Sequence, residues 1–157
     1  MSFYDDIREG MVLDLGAHTF TADEIIRFAE KFDPQPFHLS EEQAKTTLFG
    51  GLCASGWHTA AVFMKRNVAT MATLMRERAS EGLDSAEFGP SPGIQNMRWL
   101  RPVFAGETIQ YRTTVVSKRH SQSRPGWGLI ESLVEAENQA GQPVLSMTTT
   151  VFVRTGA

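Results

Sequence analysis

Hydrophobic residues follow a helical period in the first half of the chain and a strand period in the second half. Apolar side chains recur at helical spacing over residues 25–32 and again over 52–78. They alternate with polar side chains over 107–117 and 144–153, where many residues are β-branched. About four strands, joined mainly by hairpin-length turns, therefore follow the long helix, which predicts an α+β fold with an antiparallel sheet. Residues 11–20 are a candidate for a further strand.

Local signals predict where the short helices of the first region begin and end. Thr21 and Glu24 have the spacing of a capping box, in which the Thr hydroxyl accepts the Glu24 amide and the Glu carboxylate reaches back. Pro34 disfavours helical geometry at Asp33, so the helix is expected to stop there. A second cap at Ser40 predicts another short helix.

Composition and charge exclude several classes of protein. A chain of 157 residues with 41% apolar and 21% charged residues predicts one globular domain over residues 1–157. A net charge of −3 without a run of like charges argues against a nucleic-acid partner. The single cysteine, Cys53, leaves no disulfide within the chain and no Cys-rich metal site. No membrane span or export signal is visible, so we expect a cytoplasmic protein without a metal or a membrane partner.

The segment 33–38 is the strongest candidate for chemistry. It places Asp33 and His38 five residues apart, and Pro34 and Pro36 fix two φ angles between them. A stiff loop is able to hold both side chains toward one small volume, which suits acid–base work, because His titrates near neutrality and a carboxylate can orient its ring. An Asp that caps a helix and a His that packs in the core explain the same residues. The spacing alone does not decide between these readings.

Three blocks of the sequence resemble the MaoC-like dehydratases, the (R)-specific enoyl-CoA hydratase group of the hot-dog fold. In that family the loop has the sequence motif Asp-x-Asn-Pro-x-His, and this chain has Asp33-Pro34-Gln35-Pro36-Phe37-His38. The segment Ala54-Ser55-Gly56 and residues 98–107, with their Pro-Val turn and Gly-acidic pair, follow in the family's order.

The resemblance implies a fold and a reaction. The fold is a long central helix wrapped by a curved antiparallel β-sheet, in a homodimer or dimer-based oligomer with an acyl-thioester tunnel along the subunit boundary. In the reaction, Asp33 and His38 activate a water that adds to a trans-2-enoyl-CoA and gives an (R)-3-hydroxyacyl-CoA. Coenzyme A is then part of the substrate, and no separate cofactor is expected. Gly56 matches the backbone donor for the enolate-like thioester oxygen, although a glycine required for packing explains the position too.

The loop departs from the family pattern at two positions. Gln35 stands where the family has Asn, and its additional methylene shifts or removes the hydrogen bond that an Asn would make. Phe32 stands where the family has Gly, and its bulk is expected to fill part of the tunnel and favour a short, compact or branched acyl group. Gln35, Phe32 and Ser55 are the expected substrate-binding residues.

Two other functions stay open at this point. A hot-dog thioesterase attacks the carbonyl carbon and generally places its carboxylate on the long helix, whereas residues 52–76 contain no Asp or Glu. A non-catalytic acyl-thioester-binding subunit would use the same fold, with an altered loop that no longer supports hydration.

Overall fold

The structure, a computed structural model, describes residues 1–156, and each predicted region forms the type of element that its spacing indicates. The helices of the described residues are α1 (Phe3–Asp6), α2 (Ala22–Phe32), α3 (Pro36–Leu39), α4 (Glu41–Ala44) and α5 (Gly56–Ser80). The strands are β1 (Val12–Thr19), β2 (Gly93–Trp99), β3 (Thr108–His120), β4 (Trp127–Glu137) and β5 (Pro143–Arg154). The candidate strand at the front of the chain is therefore present, as β1.

The strands form one curved antiparallel sheet in the order β1-β3-β4-β5-β2. β2 follows α5 along the chain, yet it pairs with β5 at the far edge of the sheet. Irregular register between residues 14 and 16 of β1, and between residues 95 and 98 of β2, bends the two edge strands. The sheet and the long helix together confirm the hot-dog fold that the resemblance implies.

The core lies between α5 and the sheet. Val62 and Phe63 of the helix belong to one buried cluster with Ile109, Val134 and Met147 of three strands. Full burial of a side chain of this size stabilises the fold by about 1.5–3 kcal/mol relative to exposure. No helix among residues 1–156 is both long enough and apolar enough to cross a membrane.

The long helix begins later than its apolar stripe predicts. Residues 52–54 run extended beside residues 103–105, with backbone hydrogen bonds of 2.8 and 3.1 Å between the two segments. Ser55 then caps the helix, because its side chain accepts the Trp57 N–H at 3.3 Å. Gly56 is consequently the first residue of α5, which matters for the site described below.

Two details of the first region also differ from the prediction. The stiff loop ends in a helical turn, α3, that starts at Pro36, a position where proline is well tolerated. The capping box at the start of α2 is only half formed. Thr21 accepts the Glu24 N–H at 3.3 Å, but the Glu24 carboxylate contacts His18 and His58 instead of reaching back to the cap.

Candidate active site

The turn after α2 brings Asp33 and His38 together. Asp33 ends α2 as its C-cap, and its backbone N–H donates to the Ala29 carbonyl at 2.9 Å. The chain then turns through the two prolines into α3, so that Nε2 of His38 lies 3.3 Å from Oδ2 of Asp33. The loop therefore holds both side chains at one point, which is the arrangement that acid–base chemistry requires.

A backbone carbonyl determines which nitrogen of His38 is available. Nδ1 lies 2.6 Å from the Cys53 carbonyl oxygen, and the ring is only 5% exposed. A carbonyl oxygen only accepts hydrogen bonds, so Nδ1 carries a proton. Nε2, which faces Asp33, is left as the nitrogen that gains or loses a proton during a reaction.

Two donors hold the Asp33 carboxylate. The Ser55 hydroxyl donates to Oδ2 at 2.7 Å, and the Gln35 side-chain amide donates to Oδ1 at 2.6 Å. Partial burial raises the pKa of Asp33, but these two hydrogen bonds and the nearby His38 outweigh it and hold the pKa below its ordinary value. Asp33 is therefore an ionised carboxylate at neutral pH.

Gly56 lines the same cavity and has an unpaired backbone donor. Its N–H is the first of α5 and has no acceptor among residues 1–156, and an N–H of this kind at a helix start stabilises negative charge. The indole of Trp99 lies against the Gly56 Cα, and an added Cβ would come within 2.5 Å of the ring. Any side chain at this position would therefore displace Trp99.

One cavity of about 370 Å³ joins these groups. Asp33, Gln35, His38 and Gly56 line it. Ser55, which we expected to bind substrate, does not line the cavity. It contacts a lining residue instead, through its hydrogen bond to Asp33. Phe32, which we expected to bind substrate, does not line the cavity of this chain. Its side chain is 69% exposed and packs beside Phe28, with ring centroids 5.0 Å apart.

Sequence reasoning missed part of the lining. Trp99, the last residue of β2, and Arg101, two residues further along the chain, line the cavity. Trp57 also lines it and contacts Trp99 edge to face, with ring centroids 5.2 Å apart. For Trp99 and Arg101 the only available signal was their position in the block 98–107 that resembles the family, and a block match does not say which side chains face a site.

Cys53 lies next to His38 but does not form a nucleophilic pair with it. The Cys53 sulfur is 3.8 Å from His38 Nδ1, which already donates to a carbonyl. Burial raises the pKa of the Cys53 thiol from 9.0 to about 11, so the group is a protonated thiol at neutral pH. The groups of this cavity that remain candidates for chemistry are the Asp33 carboxylate, the His38 imidazole and the Gly56 N–H.

Two comparisons with known proteins concern the sequence of the chain. The family model described as "MaoC like domain" matches residues 8–131 of the chain. Among curated proteins, the uncharacterized protein YdeM of Bacillus subtilis (strain 168) is 25% identical over 150 residues, which cover 96% of this chain and 97% of that protein.

Two solved structures show the same fold. The MaoC-like dehydratase from Rhodospirillum rubrum is 33% identical, with a TM-score of 0.78 and coverage of 100% of this chain and 99% of that one. The unliganded R-hydratase PhaJ1 from Pseudomonas aeruginosa is 20% identical, with a TM-score of 0.69 and coverage of 98% of this chain and 86% of that one. The second similarity concerns the fold alone.

Proposed function

Because the chain belongs to the MaoC-like dehydratase family, we propose that it is a hydratase or dehydratase of acyl thioesters. The proposed reaction adds water to a trans-2-enoyl-CoA and gives an (R)-3-hydroxyacyl-CoA, or runs in reverse. One observation carries the proposal: Nε2 of His38 and Oδ2 of Asp33 lie 3.3 Å apart in a cavity that is also lined by Gly56, whose N–H has no acceptor among residues 1–156.

Asp33 and His38 are proposed to activate the attacking water together. The carboxylate and the unprotonated Nε2 are both acceptors, so a water between them is held by its two O–H groups. As its oxygen bonds to C3 of the substrate, one water proton passes to this pair. The C2–C3 π electrons move toward the thioester oxygen, and the same proton is later delivered to C2. All atoms of water therefore end in the product.

Gly56 is proposed to stabilise the charge that develops on the thioester oxygen. Its N–H is preorganised at the start of the 25-residue helix α5, so no reorganisation is needed when the oxygen becomes enolate-like. Removal of one donor of this type typically slows an enzyme by about 10²–10³-fold.

The substrate is proposed to enter beside Trp57, Trp99 and Arg101. Gln35 donates to Asp33, so its proposed role is to orient the carboxylate at the edge of the substrate site. Arg101 is the cation that lines the cavity, and it has no carboxylate within ion-pair distance among the described residues. A guanidinium at this position suits an anionic carrier such as coenzyme A. No metal or separate cofactor enters the proposed reaction.

We extend the proposal to a homodimer or dimer-based oligomer. Trp57, Met64 and Val68 lie at helical spacing on α5 and are at least half exposed, and Trp57 contacts Trp99 of the edge strand β2. Exposed apolar side chains beside an unpaired strand edge are typical of an interface. Light scattering at micromolar concentration tests this, and a stable monomer would contradict it. A cytoplasmic location likewise stays a prediction.

The decisive experiment measures hydration of a panel of trans-2-enoyl-CoAs by loss of their conjugated absorbance, together with release of free thiol. Asp33→Asn and His38→Gln are each expected to reduce the rate by about 10²–10⁴-fold, since general acid–base groups contribute on that scale. Asp23→Asn and His120→Gln are matched controls, because both side chains belong to exposed residues away from the cavity.

Each alternative has its own signature in this experiment. Thiol release without hydration would favour a thioesterase, which α5 does not support because its first acidic residue is Glu77. Binding of enoyl-CoA without turnover of any panel member would favour the non-catalytic subunit. Equal activity in the wild type and in both site variants would refute the roles of Asp33 and His38.

A further inference from the structure

Three elements meet at the carboxylate of Glu24, outside the cavity described above. Oε1 contacts Nε2 of His18 on β1, and it lies 3.2 Å from Nε2 of His58 on α5. Glu24 itself belongs to the first turn of α2. The carboxylate makes these contacts in place of the second half of its capping box, while Thr21 keeps the first half.

The His58 ring is enclosed by aromatic side chains. It is 5% exposed, stacks on Phe28 at a centroid distance of 4.6 Å, and meets Phe20 edge-on at 4.9 Å. Nδ1 is buried and has no hydrogen-bond partner among residues 1–156. A proton on Nδ1 would be buried without an acceptor, so the neutral ring carries its proton on Nε2 and donates it to Glu24.

A side chain of the sheet also contacts the first turn of α5, next to His58. The hydroxyl of Tyr111 on β3 donates to the Thr59 carbonyl at 2.9 Å, and Tyr111 is fully buried. Residues 58 and 59 are thus held by side chains of two other elements, the half-buried Glu24 and the buried Tyr111, and Gly56 lies two residues before His58 in that first turn.

Glu24 and Asp33 stand near the two ends of α2. Asp33 lies nine positions after Glu24, which is about 14 Å along the helix axis at 1.5 Å per residue. Asp33 is tied to the start of α5 by Ser55 at 2.7 Å, and Glu24 is tied to the same turn by His58. Two contacts at opposite ends of a rigid helix define its position relative to α5 more strictly than one contact does.

We propose that Glu24 and His58 are positioning residues of the candidate active site, which keep the Gly56 N–H aligned with Asp33 and His38. This inference rests on the proposed function for its consequence in catalysis, but not for its geometry. Misplacement of reacting groups by about 1 Å can cost about 10²-fold in rate, so a loss of about tenfold in kcat is expected when the bridge is removed.

The test compares Glu24→Ala with the conservative variant Glu24→Gln. Ala removes the acceptor shared by His18 and His58, whereas Gln keeps a side-chain oxygen at that position. We expect Glu24→Ala to lower kcat about tenfold with KM within about twofold, and Glu24→Gln to recover most of that loss. Glu30→Ala is the matched control, because Glu30 is an exposed residue of the same helix without a hydrogen-bond partner among the described residues.

Amide hydrogen exchange of residues 56–59 supplies a readout that needs no substrate. Faster exchange there in Glu24→Ala, with Glu24→Gln and Glu30→Ala near the wild type, supports the inference even if no enoyl-CoA is hydrated. All rates are measured well below the melting temperature and divided by the folded fraction. A lower melting temperature with unchanged exchange at residues 56–59 and unchanged kcat per folded molecule would overturn the inference, because it would show a role in stability alone.

Discussion

The hydroxyl of Ser55 donates to Oδ2 of Asp33 at 2.7 Å and accepts the N–H of Trp57 at 3.3 Å. One side chain therefore caps the long helix and holds the candidate base. The start of α5 and the end of α2 meet at this residue, which is itself only 1% exposed.

Replacement of Ser55 by Ala is expected to raise the pKa of Asp33, because one of the two hydrogen bonds that lower it is lost. A base with a raised pKa is protonated at higher pH, so the acid limb of the hydration rate should move toward neutrality. Loss of the cap should also cost about 1 kcal/mol of unfolding free energy. The measurements are a pH–rate profile and a urea titration.

Ser40→Ala provides the control for the cap. Ser40 accepts the Gln43 N–H at 3.3 Å at the start of α4 and makes no contact with Asp33. The Ser40→Ala variant should lose unfolding free energy, while the acid limb of its pH–rate profile should not move. An acid limb that stays in place in Ser55→Ala as well would show that the Ser55 hydrogen bond does not tune the base.

The candidate acid–base pair was visible in the sequence because it is local. Asp33 and His38 are five residues apart, and the prolines restrict the chain between them. The groups that orient the pair are not local. The Cys53 carbonyl is 15 residues from His38, and Ser55 is 22 residues from Asp33. Contacts of this range depend on how elements pack, and periodicity within one element carries no information about packing.

The helices and strands were predictable because their patterns are also local, but some of their boundaries were wrong. Long periodic segments identified α5 and the strands, but the helix was predicted to begin at about Leu52, whereas Leu52 and Ala54 form an extended pair with residues 103–105. Both residues are buried, and a short apolar run does not by itself distinguish a buried helix from a buried extended segment. The four residues of α1 are too few to show a period at all.

Gly56→Ala should be costly although the backbone there is ordinary helix. An added Cβ would lie 2.5 Å from the Trp99 ring, so the indole must move. Overpacking of this kind typically costs about 1–3 kcal/mol, and the displaced ring should also reduce activity. Gly93→Ala is the control, because a Cβ at Gly93 meets nothing within 4 Å. Thermal melting and tryptophan fluorescence report the effect, and equal melting temperatures for the two variants would contradict it.

Cys53 should resist alkylation in the native protein. Its pKa is raised from 9.0 to about 11 by burial, so the thiolate fraction at pH 8 is about 100-fold lower than for an ordinary thiol. Iodoacetamide labelling followed by mass spectrometry should show slow modification of native protein and rapid modification in urea. Hydration should accordingly survive treatment with the reagent. Native labelling as fast as that of the unfolded chain would rule out the buried thiol.

His58 should make the protein less stable in acid. Burial lowers the pKa of His58 below its ordinary value of 6.5, and the Glu24 charge only partly opposes this. The unfolded chain therefore binds a proton at His58 at a higher pH than the folded chain does. The contribution to stability is fully present above pH 6.5 and is lost as the pH falls toward the lowered value.

Urea titrations at several pH values between 7.5 and 5 test this through the slope of unfolding free energy against pH. His58→Gln keeps a donor toward Glu24 but has no group that titrates in this range, so its slope should be shallower than that of the wild type. Replacement of the exposed His120 by Gln serves as the comparison, because it removes a histidine without opening the aromatic enclosure around Phe20 and Phe28. If His58→Gln and wild type lost stability in parallel, His58 would not be the buried group that acid must protonate, and the neutral ring assigned to it would be wrong.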